Sequence, residues 1–193
     1  MDNRAAFLLV LGLVVGVVLG VEAYRFSLGY SCPQPACVDK ASVNVVTDRE
    51  YYVEAHKILA NAKDSIHLVC FELKYYPTFK ASLENQIIED LVEAKQRGVE
   101  VKIIVDEFSE DNNAFDYLKE NGIDIKHDSE NVTTHAKLLI VDGRIVLVGS
   151  TNLSYYALEK NNEANVVIED EEVAQDFEGY FDGLWQELVS PAS

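Results

Sequence analysis

The chain has 193 residues, of which 48% are hydrophobic and 25% are charged, a composition that excludes a largely disordered protein. This length suits one well-packed domain with an appendage. The formal net charge of −17, densest from Glu159 to Glu187, would repel polyanions, so nucleic-acid binding would require a locally basic groove.

Residues Ala5 to Val21 form an uninterrupted apolar run that Glu22 closes. As a helix rising about 1.5 Å per residue, the run would be about 25 Å long, slightly short of a hydrocarbon core of about 30 Å. Arg4 on its short side favours a cytoplasmic N-terminus with the bulk of the chain outside. Aromatic residues follow the run, as at a membrane interface: Tyr24, Phe26 and Tyr30. We therefore predict a single-pass N-terminal membrane anchor within residues 1–25.

A cleavable secretory signal is the alternative to the anchor, because Val21-Glu22-Ala23 loosely fits the small-residue cleavage pattern. The chain would then be secreted. Glycines repeat every four residues along the apolar run, at Gly12, Gly16 and Gly20. They share one helix face and permit a second helix to approach closely, which favours the anchor.

Residues 26–42 are predicted to be a linker in which Cys32 and Cys37 flank a short Pro-containing loop. Whether the two cysteines form a disulfide depends on the redox state of the compartment that the segment faces. Two cysteines alone cannot complete a zinc site. Cys70 lies inside the apolar run from Ile66 to Leu73 and is predicted to be a buried small hydrophobe.

Residues 43–193 alternate between short β-rich runs and helical stretches. The predicted strands are Val43–Val46, Ser65–Leu73, Val99–Val105, Ile123–Lys126, Ala136–Val141, Arg144–Val148 and Asn165–Ile168. The predicted helices are Arg49–Ala62, Ala81–Arg97, Asp111–Glu120 and Glu171–Leu188. Asp142-Gly143 indicates a hairpin between two of the strands. The sequence therefore predicts an α/β domain over residues 43–193, with helices flanking a mixed β-sheet.

His135, Lys137 and Asp142 are spaced as H-x-K-x4-D, and six residues later the chain reads Gly149-Ser150-Thr151-Asn152. On a strand, the side chains of His135 and Lys137 would leave on the same face, and the hairpin would return the second segment to their side. An imidazole, an ammonium, a hydroxyl and an amide would then converge. Such a set suits a tetrahedral anion.

This pattern resembles the signature of the phospholipase D superfamily, H-x-K-x4-D-x6-G-S-x-N, with every position present at matching spacing. In element order the resemblance extends over about residues 43–188 and includes Asn162-Glu163-Ala164-Asn165. It implies a phospholipase D-like fold and a two-histidine mechanism without metal or other cofactor. One histidine attacks phosphorus to form a phosphohistidine, and a second protonates the leaving oxygen and then activates water.

The resemblance assigns roles to individual residues. His135 is implied as nucleophile in one subunit and general acid in the other, while Lys137, Ser150 and Asn152 bind the non-bridging phosphate oxygens. Glu163 matches the downstream family acid that orients the histidine; the alternative is a surface glutamate at a strand edge. Asp142 completes the candidate catalytic set with His135, Lys137 and Glu163, although its position at a hairpin turn favours structural support of the site.

The motif occurs once in the chain, and His56, His67 and His127 lack the accompanying Lys, Ser and Asn. We expect these three to be surface or core residues. The second catalytic histidine would then come from another copy, as in the single-motif branch of the superfamily, which includes a bacterial periplasmic endonuclease and Zucchini-type enzymes of the mitochondrial surface. The resemblance thus implies a two-fold homodimer with a shared site.

Two further segments carry weaker signals. Residues 74–80 alternate bases and aromatics that would contact nucleobases or lipid head groups, and the alternative is an ordinary loop with its aromatics packed inward. Asp106 and Glu107 close the predicted strand Val99–Val105, but two adjacent carboxylates do not make a metal site.

Three functions remain open from the sequence. A nuclease acting on DNA or RNA, single-stranded or without sequence preference, is favoured. The second is a membrane-associated hydrolase of phospholipids such as cardiolipin, and the third is a membrane-tethered binding protein that has lost activity, which the complete signature disfavours. The natural substrate, the base preference and the side of the membrane are left open.

Overall fold

A computed structural model of the chain describes residues 41–107 and 112–189, which form an α/β fold around one seven-stranded sheet. The strands are β1 (Ser42–Thr47), β2 (Ser65–Cys70), β3 (Glu100–Val105), β4 (Asp124–His127), β5 (Leu138–Val141), β6 (Ile145–Gly149) and β7 (Ala164–Glu169). The helices are α1 (Glu50–Asn61), α2 (Leu83–Gln96), α3 (Phe115–Glu120), α4 (Tyr155–Glu159) and α5 (Glu171–Val189). The prediction of a mixed sheet flanked by helices is confirmed.

The strand order in the sheet is β1-β7-β6-β5-β2-β3-β4. Strands β2, β3 and β4 are parallel to one another, whereas the other neighbouring pairs are antiparallel. The parallel strands are joined through α2 and α3, because a parallel connection must cross back over the sheet. Strands β5 and β6 form the predicted hairpin, and its turn residues Asp142 and Gly143 both have positive φ, at 54° and 55°.

Helices cover both faces of the sheet. Because side chains alternate along a strand, Ile103 joins the larger core beneath α1 to α4, and Ile104 joins the smaller core beneath α5. Phe181 of α5 is fully buried and stacks on His67 with a centroid separation of 4.4 Å. Burial on both faces explains why the central strands are almost continuously apolar.

The two halves of the signature meet at one end of the sheet, which we call the signature end. Strand β5 starts there at Leu138, which pairs with Val148 of β6. Strand β6 ends beside it at Gly149, which pairs with Asn165 of β7. The segments 135–137 and 149–152 therefore become neighbours. Strand β1 begins at the opposite end of the sheet, because Ser42 pairs with Glu169, the last residue of β7.

Element boundaries near the signature end differ from the sequence prediction. Strand β2 ends at Cys70, and Leu73, three residues later, is fully buried and forms an isolated bridge with Leu153. Strand β5 begins at Leu138, so His135 and Lys137 precede it. Helix α3 begins at Phe115, and the short helix α4 has no counterpart in the predicted elements.

The predicted membrane anchor and the Cys32–Cys37 pair lie outside the described residues. Over residues 41–107 and 112–189, no helix is both long enough and apolar enough to cross a membrane. Cys70 is a free thiol and is buried, as predicted.

Candidate active site

The loop that carries His135 is fixed by two carboxylates at the ends of neighbouring strands. The backbone N–H of Thr134 donates to Asp106 Oδ2 at 2.9 Å and to Asp128 Oδ2 at 2.8 Å. Asp106 is fully buried at the end of β3, and Asp128 follows β4 and accepts a second bond from Glu107 N at 2.8 Å. Both carboxylates therefore fix the backbone of Thr134, the residue immediately before His135.

His135 is exposed, and its ring packs against Phe71, with ring centroids 4.9 Å apart. Lys137 is only 7% exposed, and its Nζ donates to His135 O at 2.7 Å and lies 5.1 Å from the centre of the Phe71 ring. Burial lowers the pKa of the Lys137 ammonium, while the nearby Cys70 and Glu163 act in the opposite direction. The ammonium is thus largely shielded from water, and its electrostatic interaction with an adjacent anion is stronger than it would be in bulk solvent.

Ser150 is bound to Glu163 across the signature end. Its Oγ donates to Glu163 Oε2 and accepts from Ala164 N at 3.1 Å. Glu163 is itself held by Asp48, whose Oδ1 accepts from Glu163 N at 2.8 Å, and by Asn161, whose Nδ2 donates to Glu163 Oε1 at 3.0 Å. The orientation of a histidine by Glu163 stays a prediction, because the contacts of this carboxylate within one chain are with Ser150 and Asn161.

The buried side chain of Asn165 fixes the backbone of the Gly149–Asn152 segment. Its Oδ1 accepts from Ser150 N at 3.1 Å and from Thr151 N at 3.2 Å, and its Nδ2 donates to Thr151 Oγ1 at 2.9 Å. A Cβ at Gly149 would overlap this side chain, so only glycine admits it there. The signature glycine and the buried Asn165 therefore form one interlocking unit.

Asn152 carries a buried carbonyl oxygen, Oδ1, that has no hydrogen-bond partner in the part of the chain that the structure describes. A buried polar atom without a partner is costly, and such atoms concentrate at functional sites. This oxygen can only accept a hydrogen bond, so a bond to a phosphate oxygen would come from Nδ2, and the phosphate-binding role of Asn152 stays a prediction.

Asp142 lies at the other end of β5, which spans four residues, or about 13 Å. Its Oδ1 accepts from Asp64 N at 2.8 Å and from both Lys63 N and Ser65 N at 3.1 Å. The structure thus separates Asp142 from His135, Lys137, Ser150, Asn152 and Glu163. A carboxylate that accepts several backbone N–H groups fixes a turn, which is the structural support expected from its place in the hairpin.

The remaining histidines contact residues outside the signature, although His127 ends β4 at the same end of the sheet. His56 Nδ1 lies 2.7 Å from Asp90 Oδ2, and the His127 ring stacks on Phe115 with centroids 4.1 Å apart. His67 is buried beside Glu178. These are surface and core positions of the kind expected from the sequence.

The loop that starts at Lys74 has both inward and outward side chains. Lys74 is 5% exposed with its Nζ 3.3 Å from Glu72 Oε1, and the Tyr75 ring stacks on Tyr117, centroids 4.0 Å apart. Phe79, by contrast, is 66% exposed. Within the described ranges, no group of three or more His, Cys, Asp or Glu side chains is placed to hold a metal ion.

The residues that hold the signature in place have no predicted role: Phe71, Asp106, Asp128 and Asn165. In the sequence, Asp106 stands out only beside Glu107, and Asn165 only within the downstream motif. The two acids carry one positional signal, because Asp106 and Asp128 follow neighbouring parallel strands, and the carboxyl ends of such strands lie at the same edge of a sheet.

A mixed sheet that brings an H-x-K segment and a G-S-x-N segment together at one end defines a phospholipase D-like protein. The family described as cardiolipin synthase, PLD-like domain, matches residues 56–185, and the chain belongs to this family. The recognition of the superfamily from its signature is therefore confirmed.

Relatives agree with this assignment. The mitochondrial cardiolipin hydrolase of Canis lupus familiaris is 33% identical over 95 residues, 48% of this chain and 37% of the relative. A phospholipase D of Rickettsia typhi is 27% identical over 121 residues, 62% of this chain and 55% of the relative. The chain thus spans less than two thirds of the length of these curated relatives. The names of these relatives are those of hydrolases, the enzyme class that the sequence predicts.

Among solved structures, the phospholipase D family member Nuc from Salmonella typhimurium has a TM-score of 0.66 and 31% identity, over 76% of this chain and 95% of that chain. NucT from Helicobacter pylori has a TM-score of 0.63 and 18% identity, over 76% of this chain and 97% of that chain. The second likeness concerns the fold alone.

Proposed function

We propose that the chain is a nuclease that cleaves phosphodiester bonds in nucleic acid through a phosphohistidine, at a site shared by two copies. One observation carries the proposal: His135, Lys137, Ser150 and Asn152 meet at an exposed end of the sheet and supply one histidine of the two that the chemistry needs. A two-fold axis past this end would bring the second histidine.

The reaction proceeds in two balanced steps. In the first, the neutral imidazole of His135 attacks phosphorus, the bond to the leaving oxygen breaks, and the partner's His135 donates its proton to that oxygen. In the second, the same partner imidazole, now neutral, takes a proton from water, and the water oxygen attacks phosphorus. The P–N bond then breaks and returns its electron pair to His135.

The other signature residues bind the phosphate. The Lys137 ammonium supplies positive charge from a site that is nearly closed to solvent, and the Ser150 hydroxyl and the Asn152 amide supply directed hydrogen bonds. Glu163 accepts the single hydroxyl hydrogen of Ser150 in the free chain, so this hydrogen turns from Glu163 to the phosphate when substrate binds. Asp106 and Asp128 hold the backbone before His135 and limit where its ring can lie.

Nucleic acid is favoured over lipid as substrate by the extent of the similarity to Nuc. The chain covers 95% of Nuc at 31% identity, but 37% and 48% of two relatives named mitochondrial cardiolipin hydrolase. We propose that residues 1–25 anchor the protein, with the domain on the extracytoplasmic side.

A lipid phosphodiesterase is the second candidate, because relatives at 31–34% identity are named mitochondrial cardiolipin hydrolases. The net charge of −17 disfavours long duplex DNA for the same electrostatic reason that it disfavours an extended anionic bilayer. A single strand contacts only a narrow part of the surface and avoids most of this repulsion.

The full-length chain, purified in a mild non-ionic detergent, should cleave single-stranded DNA or RNA in the presence of EDTA. His135→Ala should lower the rate at least about 1,000-fold, whereas His56→Gln, at an exposed histidine of α1, should retain it. Anionic liposomes containing cardiolipin form the competing arm. Hydrolysis of lipid alone would overturn the nuclease assignment, and cleavage that EDTA abolishes would overturn the mechanism.

A further inference from the structure

Two tyrosines stand exposed directly after the signature. Tyr155 and Tyr156 begin α4 and are 39% and 69% exposed. The helix is fixed through its other face, since Ala157 and Leu158 are buried and Leu158 N donates to Ser154 O at 2.9 Å. The tyrosine rings contact each other edge-on, with centroids 5.5 Å apart. Burial of the larger core therefore forces two aromatic rings outward beside the site.

Positive charge accompanies these rings, although the surrounding chain is acidic. Lys160 Nζ lies 5.1 Å from the centre of the Tyr155 ring and 3.8 Å from Glu159 Oε2. The Arg49 guanidinium donates to the carbonyl of Asn161. Asn161 in turn contacts Glu163, the partner of Ser150, so both cations lie close to the site.

We propose that Tyr155, Tyr156, Lys160 and Arg49 form a strip that binds a single strand of nucleic acid as it leaves the site. The rings stack on bases, and the two cations contact the phosphates between them. Exposed aromatics interleaved with bases are the usual means of holding a single strand without reading its sequence. This inference rests on the proposed function and adds the substrate class and the residues that hold it.

A lipid surface fits the same strip less well. A bilayer presents charge over an area far wider than the Debye length of about 8 Å, and would meet the acidic surface of the domain as well as the two cations. A single strand can follow the strip and leave that surface in solvent. The two tyrosine faces also match the repeating faces of bases, which lipid head groups lack.

Binding is measured on the full-length His135→Ala chain, which holds substrate without cutting it, with a labelled single-stranded oligonucleotide. Tyr156→Leu should weaken binding about tenfold, because it removes an exposed ring without disturbing the buried face of α4. Tyr156→Phe should leave binding within about twofold, since it keeps the ring. Lys160→Ala should reduce the slope of log affinity against log salt by about one.

An oligonucleotide with abasic sites tests the stacking contribution alone. Because it lacks bases to stack on, Tyr156→Leu should bind it as tightly as the parent chain does. An equal loss on normal and abasic strands would overturn the stacking role, as would binding of anionic liposomes that depends on Tyr156. A fall in dimer content with Tyr156→Leu, measured by sedimentation, would assign the ring to contact between copies and overturn the strip. If the parent chain neither binds nor cleaves nucleic acid, the proposed function fails; if it does both and Tyr156→Leu changes nothing, only the strip fails.

Discussion

In the proposed mechanism, Lys137 supplies a positive charge that is in place before the phosphate of the substrate binds. Its ammonium is 7% exposed, packs on the Phe71 ring and is tied to the carbonyl of His135. Burial lowers its pKa, and the acidic groups around it oppose that change, so the cation is retained in a setting with little water. A fixed charge of this kind needs no rearrangement when negative charge develops on the substrate.

Asn165 should position the signature without touching substrate. Asn165→Ala removes the oxygen that Ser150 N and Thr151 N share, so Thr151 N loses this acceptor, whereas Ser150 N keeps its bond to Ala164 O at 3.2 Å. We expect a loss of about 2 kcal/mol in the free energy of unfolding and a fall in kcat at temperatures where the variant is fully folded. Urea unfolding and steady-state cleavage give the two quantities separately.

Thr151→Val is the matched control for Asn165→Ala, because it removes the hydroxyl that Asn165 contacts but leaves the backbone bonds of Ser150 and Thr151 in place. Its kcat should stay within about threefold of the parent. If folded Asn165→Ala chains cleave at the parent rate, Asn165 stabilises the domain only and the positioning role is wrong.

At the scale of the element, Asp142 joins the β5–β6 hairpin to the segment between α1 and β2. Asp142→Ala removes the acceptor for Lys63 N, Asp64 N and Ser65 N, and should lower the free energy of unfolding by about 2 kcal/mol. Asp64→Ala, an exposed acid in the same turn, is the matched control and should change it by less than about 0.5 kcal/mol. Thermal and urea unfolding measure both.

The same substitution decides whether Asp142 takes part in catalysis. Because β5 separates it from His135, the folded variant should cleave at a rate within about twofold of the parent. A loss of activity in folded protein as large as that of His135→Ala would contradict structural support and return Asp142 to the catalytic residues.

Elements with long apolar runs could be predicted from sequence to within a few residues. The predicted strand Val99–Val105 is β3, Glu100–Val105, because a strand buried on both faces needs a continuous apolar run. Helix α4 could not be predicted, since five residues are too few to show a helical period. The start of β5 could not be predicted for another reason. Thr134 is held by Asp106 and Asp128, and the sequence does not show that these residues are neighbours.

The candidate site, too, could be predicted only in part. The sequence identifies its signature residues because their spacing is fixed within one hairpin: His135, Lys137, Ser150 and Asn152. Their supports could not, because Asp48, for example, reaches Glu163 only through the pairing of β1 with β7. Contacts between residues so far apart in the chain depend on the order of the strands.

At the scale of the whole molecule, the shared site predicts how activity responds to mixed subunits. In the proposed mechanism each working site needs His135 from both copies, so a mixed dimer containing one His135→Ala chain should be inactive. With random pairing, activity should follow the square of the parent fraction and reach about a quarter when half of the chains are variant. A site complete within one chain would instead retain about a half.

Subunits are exchanged by unfolding and refolding the two full-length chains together, and cleavage is measured against the parent fraction at constant total protein. Chains carrying Glu172→Gln, an exposed change on α5, replace the variant in the control series and should leave activity constant. Dilution below the dimer dissociation constant should lower the activity per chain, since each monomer holds one His135. A linear response to the parent fraction, with no dependence on dilution, would place the whole site within one chain and require a second proton donor other than His135 from that chain.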